Sequence, residues 1–109
     1  MTNTVVIIGR LTRDPEIRTT GNGVSVVNFT LAVERDQRSS RGEKMVDFIP
    51  VVAWDKTAEA IYRYLSKGSL CSVTGSIQTR TYEVSEDVNR LMVEVYTEKI
   101  HFLSGIKRD

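Results

Sequence analysis

The chain has 109 residues, 40% of them hydrophobic, with 15 Lys and Arg against 14 Asp and Glu and a formal net charge of +1. That length is enough for one small domain with one core, and the near-neutral charge excludes a globally basic nucleic-acid-binding surface, so any polyanion site needs a local cationic path. No apolar run is long enough to span a membrane, the start Met1-Thr2-Asn3-Thr4-Val5-Val6 lacks a secretory pattern, and the single Cys71 excludes an intrachain disulfide or a cysteine-based metal site. These features together predict a cytoplasmic protein, with Cys71 a small buried hydrophobe.

Val5-Val6-Ile7-Ile8 is a continuous, β-branched run and reads as a strand apolar on both faces. One face can fill a barrel; the other needs a cover, for which a second subunit is economical. Gly9 predicts a bend or a close backbone approach. Arg10 and Arg13 follow, then Asp14-Pro15-Glu16, a turn or strand kink because proline cannot donate to a central ladder. Beyond Arg18, Gly21-Asn22-Gly23 is a hairpin signal. Val27, Phe29, Leu31 and Val33 then alternate with Asn28, Thr30, Ala32 and Glu34, a strand with one buried face on which Phe29 is core.

Asp36 to Lys44 is polar, contains Gly42, and reads as an exposed, mobile hairpin loop. Arg35, Arg38, Arg41 and Lys44 outnumber Asp36 and Glu43 there. Such a cluster is either a solvated tip or a basic finger that closes over a polyanion, Arg35 included.

Val46 to Lys56 is the most informative stretch. Phe48 and Trp54 are six positions apart and share one face of an unbroken strand, while Ile49, Val51 and Ala53 take the other. Two rings ending beside Lys56 are either core or a platform for single-stranded nucleic acid, where bases stack on rings and cations follow phosphates.

Ala58, Ile61, Tyr62 and Leu65 recur at helical spacing, with Asp55 or Thr57 as a cap, Gly68 at the end, Lys67 at the exit and Tyr62 in packing. Cys71, Val73, Gly75 and Ile77 alternate with Ser72, Thr74, Ser76 and Gln78, which places Arg80 and Tyr82 on the outward side. Glu83 to Asn89 reads as an acidic loop, and Leu91, Val93 and Val95 begin the last strand, whose phase shifts near Ile100 and Phe102 through a bulge. His101 lacks companions for metal or nucleophilic chemistry, and the acidic residues are scattered as on solvated surfaces. No phosphate-cradling loop or catalytic constellation is visible, so no enzyme, cofactor or metal is expected. The order of elements predicts an all-β OB-fold, a five-stranded Greek-key barrel with one helix between the third and fourth strands.

The chain also resembles bacterial and phage single-stranded DNA-binding proteins of the SSB type. The likeness rests on G-R-L-T-R-D-P-E-I-R from Gly9, V-D-F-I-P-V-V-A-W-D-K-T-A-E from Val46, Y-L-S-K-G-S from Tyr64 and G-S-I-Q-T-R-T-Y-E from Gly75, in the family's order. It implies an OB domain over residues 1–105 and a homotetramer, a dimer of dimers, whose first strands pair through Val5, Val6, Ile7 and Ile8. It also implies stacking of DNA bases on Phe48, Trp54 and Tyr82, with phosphate contacts from Arg18, Lys56, Lys67 and Arg80, and from Arg10. The implied role is sequence-independent binding and protection of single-stranded DNA in replication, recombination, repair or DNA uptake, at the nucleoid or in the host cytoplasm of a phage.

Departures from the family pattern lie at Gln37, which lacks a stacking ring, at Pro50, where members often carry a basic or polar residue, and at Gln78 and Thr81. They predict weaker binding or a smaller site. Residues 106–109 form a short end without the acidic tail that recruits other proteins in many members, so tail-mediated recruitment is not expected. A primosome-type accessory factor bridging proteins and DNA, or an RNA-binding OB domain, are the alternative readings, since stacking alone does not distinguish the sugars.

Overall fold

A computed structural model describes residues 1–108. The expected end 106–109 is described only as far as Arg108, and Asp109 lies outside the described residues. Six strands and one helix follow the chain: β1 (Val5–Leu11), β2 (Glu16–Thr19), β3 (Ser25–Arg38), β4 (Lys44–Trp54), α1 (Asp55–Tyr64), β5 (Leu70–Ser85) and β6 (Val88–Ser104). The sheet order is β1-β5-β6-β4-β3-β2, and β1 also pairs with β3, which closes the sheet. β1 and β2 are the two halves of one barrel strand, interrupted where Pro15 removes a ladder donor. Counted that way, the barrel has five strands, with the helix between the third and fourth, as in an OB-fold.

Closure depends on two glycines. A Cβ on Gly9 would stand 2.6 Å from the Ala32 carbonyl oxygen, and one on Gly75 would collide with that of Tyr96. Both contacts are far inside van der Waals range, so only glycine lets β1 cross β3 and β5 follow β6 there. The Gly75 site coincides with a register shift, Thr74 facing Lys99 and Gly75 facing Thr97, which leaves Glu98 as the extra residue of a bulge. A second shift leaves Leu103 extra, so bulges flank Ile100 and Phe102, where the apolar phase changes.

Inward residues of alternate positions make the core. Leu11, Val27, Phe29, Leu31, Val51, Ala53, Cys71, Val73 and Val95 are buried from the strands, joined by Ala58 and Ile61 of the helix and by Leu65 just after it. Burial pushes the Cys71 thiol up to about 11 from its ordinary 9.0. Ile106 packs on this core and the Lys107 N–H donates to the Tyr64 carbonyl at 2.8 Å.

Local readings are corrected at several points. Neither Asp55 nor Thr57 caps the helix: Trp54 is the N-cap, without a side-chain bond, and Asp55 takes a left-handed φ of 59°. That conformation, which aspartate tolerates better than most residues, turns the chain from strand to helix directly after the Trp54 ring. The helix ends at Tyr64 with Leu65 as its C-cap, so Gly68 serves the following turn, its N–H donating to the Leu11 carbonyl at 2.8 Å. Tyr62 is exposed, not packed.

The two polar loops are shorter than the sequence suggests. Pairing of β3 with β4 continues to Arg38 and Lys44, because cross-strand pairs such as Lys44 with Glu34 at 3.5 Å suit a solvated ribbon. The β5–β6 ladder likewise reaches Ser85 and Val88, closed by a turn with Asp87 at φ 62°. Among the described residues no helix is long and apolar enough to cross a membrane.

Candidate nucleic-acid interface

Antiparallel partners share a face of the sheet, so the pairs Val26–Trp54, Asn28–Val52, Thr30–Pro50 and Ala32–Phe48 all project to the outside of the barrel. β4 meets β6 in parallel register, Val52 beside Tyr96, which brings Tyr96, Glu94 and Met92 of β6 onto the same face. β5 continues it, with Gln78 facing Glu94, Arg80 facing Met92 and Tyr82 facing Arg90. Phe48, Trp54 and Tyr82, drawn from two separate segments of sequence, thereby stand on one continuous surface.

The rings differ in how they are held. Phe48 is 66% exposed and Tyr82 46% exposed, both at ordinary strand positions with no need of burial to complete the core. Trp54 is half-buried, its ring centroid 4.8 Å from that of Tyr96 at a tilt of 59°. Six strand steps separate Phe48 from Trp54, roughly 20 Å of extended chain. Between them lie Val52, which is buried, and the half-buried Pro50. Tyr96 was absent from the residues expected at this face. Its place is set by the parallel β4–β6 contact, which no local pattern reveals.

The cations fall into groups. Arg18 pairs through its strand with Val26, on the Trp54 side of the face, and its Nη1 donates to Asn28 Oδ1 at 2.7 Å. Arg10 faces Ala32, the neighbour of Phe48, and its Nη1 donates to the Gly68 carbonyl at 2.9 Å. Lys56 is exposed in the first turn of α1, and Lys67 is exposed in the turn after it, its backbone N–H donating to Asp14 Oδ1 at 2.8 Å. Arg80 donates from Nε to Glu94 Oε1 at 2.9 Å and from Nη2 to Met92 Sδ at 3.3 Å. The Glu94 hydrogen bond, then its charge, raise the Arg80 pKa against a small cost of burial, with lesser help from Tyr96 and Tyr82.

Arg35 is placed differently. It occupies the reverse face of the β3–β4 ribbon, where Nε and Nη2 bond both oxygens of Asp47 at 2.8 Å. This fork holds the Asp47 carboxyl below its ordinary range, chiefly through the hydrogen bond, and the same bond raises Arg35. The structure therefore does not bring Arg35 onto the face that carries Phe48.

Glu94 departs from the expectation that acidic side chains are solvated. It is 3% exposed and lines a notch of about 170 Å³ with Asn28, Thr30, Pro50 and Met92. By alternation it reads as an outward strand residue; neighbours from β3 and β4 bury it. Among the described residues no group of His, Cys, Asp and Glu could hold a metal ion. The surface can offer ring faces for stacking and guanidinium groups for phosphates, with the Glu94 carboxylate already committed to Arg80.

On the outer face of β1, Val6 and Ile8 are exposed while Val5 and Ile7 pack against the core. The β1 edge opposite β5 pairs with β3 only at Arg10 and Leu11.

Comparison with known proteins matches residues 2–103 to a sequence profile described as the single-strand binding protein family. A single-stranded DNA-binding protein of Halalkalibacterium halodurans is 52% identical over 103 residues, 94% of this chain and 61% of that protein. Single-stranded DNA-binding protein 1 of Staphylococcus aureus strain MSSA476 is 48% identical over 109 residues, 100% of this chain and 70% of that protein. Single-stranded DNA-binding protein 2 of strain COL is 48% identical over 103 residues, 94% and 74% respectively. The chain thus spans about three fifths to three quarters of the length of these relatives.

Proposed function

This chain belongs to the single-strand binding protein family, and we propose that it binds single-stranded DNA without sequence preference and without catalysis. The observation that carries this reading is the shared outer face of Phe48, Trp54 and Tyr82, with Arg80 and Arg18 on the same surface. Bases stack on the rings, a contact indifferent to sequence because every base has a π-face, and the guanidinium groups follow the phosphates. Lys56 extends the cationic path beyond Trp54, Arg10 extends it from the Phe48 side, and Lys67 adds an exposed cation in the turn after the helix. The relatives' names, each a single-stranded DNA-binding protein, support the ligand class. A duplex hides its base faces, so it cannot use the rings.

The exposed Val6 and Ile8, together with the open edge of β1, support assembly of copies through the first strands, as a dimer of dimers. In this role the protein protects single strands during replication, recombination, repair or DNA uptake, in the cytoplasm.

The test is fluorescence anisotropy of a labelled oligo-dT with unlabelled competitors at low salt. Single-stranded DNA should displace the label at far lower concentration than duplex DNA of equal length, with matched RNA as the third competitor. Equal competition by duplex would remove stacking from the account, and stronger competition by RNA would reassign the ligand.

A further inference from the structure

Glu94 has an arrangement that family membership and the DNA-binding reading leave unexplained. A carboxylate buried on the ligand-facing side of a sheet carries a desolvation penalty, and an ion pair whose other member is largely solvated returns little stability. Yet Glu94 is 3% exposed while the Arg80 side chain paired with it remains 55% exposed. The pair is one-sided: the acid is sunk in a notch that Pro50, Met92 and Arg13 also line, and the base is largely solvated.

The contacts define what the acid does. Glu94 Oε1 takes the Nε proton at 2.9 Å, and Met92 Sδ takes one from Nη2 at 3.3 Å. Both anchors grip the inner edge of the guanidinium. The fork is planar, so fixing two of its nitrogens fixes the direction of Nη1. Arg80 also lies in the row that runs from Gln78 to Tyr82, across the ladder from Met92.

We infer that Glu94 is a positioning residue: it and Met92 clamp the Arg80 guanidinium so that its free edge is aimed at a phosphate beside the bases on Tyr82 and Trp54. This rests on the DNA-binding reading. An arginine ordered before binding loses less side-chain freedom when the phosphate arrives, which favours affinity without any contact between Glu94 and DNA. Because Nε is already committed, the phosphate is met by the Nη groups, a geometry that a lysine cannot reproduce. The negative charge of Glu94 also offsets that of Arg80 locally, so the clamp trades long-range attraction for orientation.

The experiment is a double-mutant cycle on the full chain, with labelled oligo-dT read by anisotropy at several salt concentrations and folding checked by circular dichroism. R80Q should weaken binding roughly tenfold, as expected for loss of a hydrogen bond between charged groups. It should also make the salt slope shallower by about 0.7, the single-strand value for one phosphate. E94M, close in length but with no oxygen to accept from Nε, should weaken binding in the wild-type background and by nothing further in the R80Q background. A loss that persists in the R80Q background would assign Glu94 to general stability and overturn the inference, and so would E94M binding as tightly as wild type or tighter. R80K supplies an arm that leaves Glu94 intact: it should resemble R80Q, and wild-type affinity for R80K would overturn the inference by showing that a point charge suffices. Failure of the wild-type protein to bind any single strand would instead remove the reading on which the inference rests.

Discussion

Phe48→Ala separates binding from folding more cleanly than any other substitution on the face. The ring is 66% exposed and stands opposite Ala32, so its removal opens no cavity. Surface changes of this kind typically alter stability by no more than about 0.5 kcal/mol. Loss of one stacked base removes ~1–3 kcal/mol of binding, which corresponds to an affinity about 5- to 150-fold lower. Because a ring releases no counterions, the slope of log affinity against log salt should stay unchanged while the whole line moves down. Anisotropy with a labelled oligo-dT at three or more salt concentrations gives both quantities, and a thermal melt gives the third. Trp54→Ala is a poorer probe, since Trp54 is half-buried against Tyr96 and its removal disturbs the surface itself. An F48A protein with wild-type Tm and wild-type affinity would refute the placement of Phe48 under a base.

Pro50→Arg places a cation between the two rings; binding at low salt should tighten and the salt slope should steepen by about 0.7, while unchanged affinity would show that the position does not face DNA. Gly75→Ala forces a Cβ against the Tyr96 carbonyl oxygen; a loss of ~1–3 kcal/mol and a Tm lower by several degrees are expected in a thermal melt. Cys71 holds its proton up to about 11 against an ordinary 9.0. An unfolded chain therefore sheds a proton that the folded chain keeps, and this contribution to stability is intact below pH 9.0 and fades as pH rises through about 11. At pH 8 a thiol reagent should label Cys71 only in denaturant, and rapid labelling of the native protein would contradict its burial.

Much of this surface was readable from strand alternation, and what escaped was non-local. Phe48 and Trp54 share a face because the side-chain period of a strand is two, a rule that needs no neighbours. Gly9 and the Gly21-Asn22-Gly23 turn were equally local, the latter closed by the Gly23 N–H donating to the Thr20 carbonyl at 2.9 Å. Arg35 shows the limit. Its charge suggested a DNA contact, but odd and even positions of β3 look to opposite sides, and Asp47 waits on the reverse one. Tyr62 has the helical spacing of Ala58, Ile61 and Leu65, yet the buried stripe of the helix is one residue narrower and the tyrosine is exposed. Glu94 and Tyr96 were hidden for another reason. Their surroundings come from a parallel contact between β4 and β6, strands separated by the helix and all of β5, which amphipathic patterns within one segment do not encode.

The central claim, that bases stack on this face, is tested most directly by Trp54, the only tryptophan in the chain. Its fluorescence is to be followed at low salt while oligonucleotides of graded length are added, with native mass spectrometry on the same samples. The account predicts saturable quenching by single strands, reversal by added salt, little response to duplex, and a stoichiometry set by an assembly of copies. Unchanged Trp54 emission with saturating single-stranded DNA at low salt would contradict it.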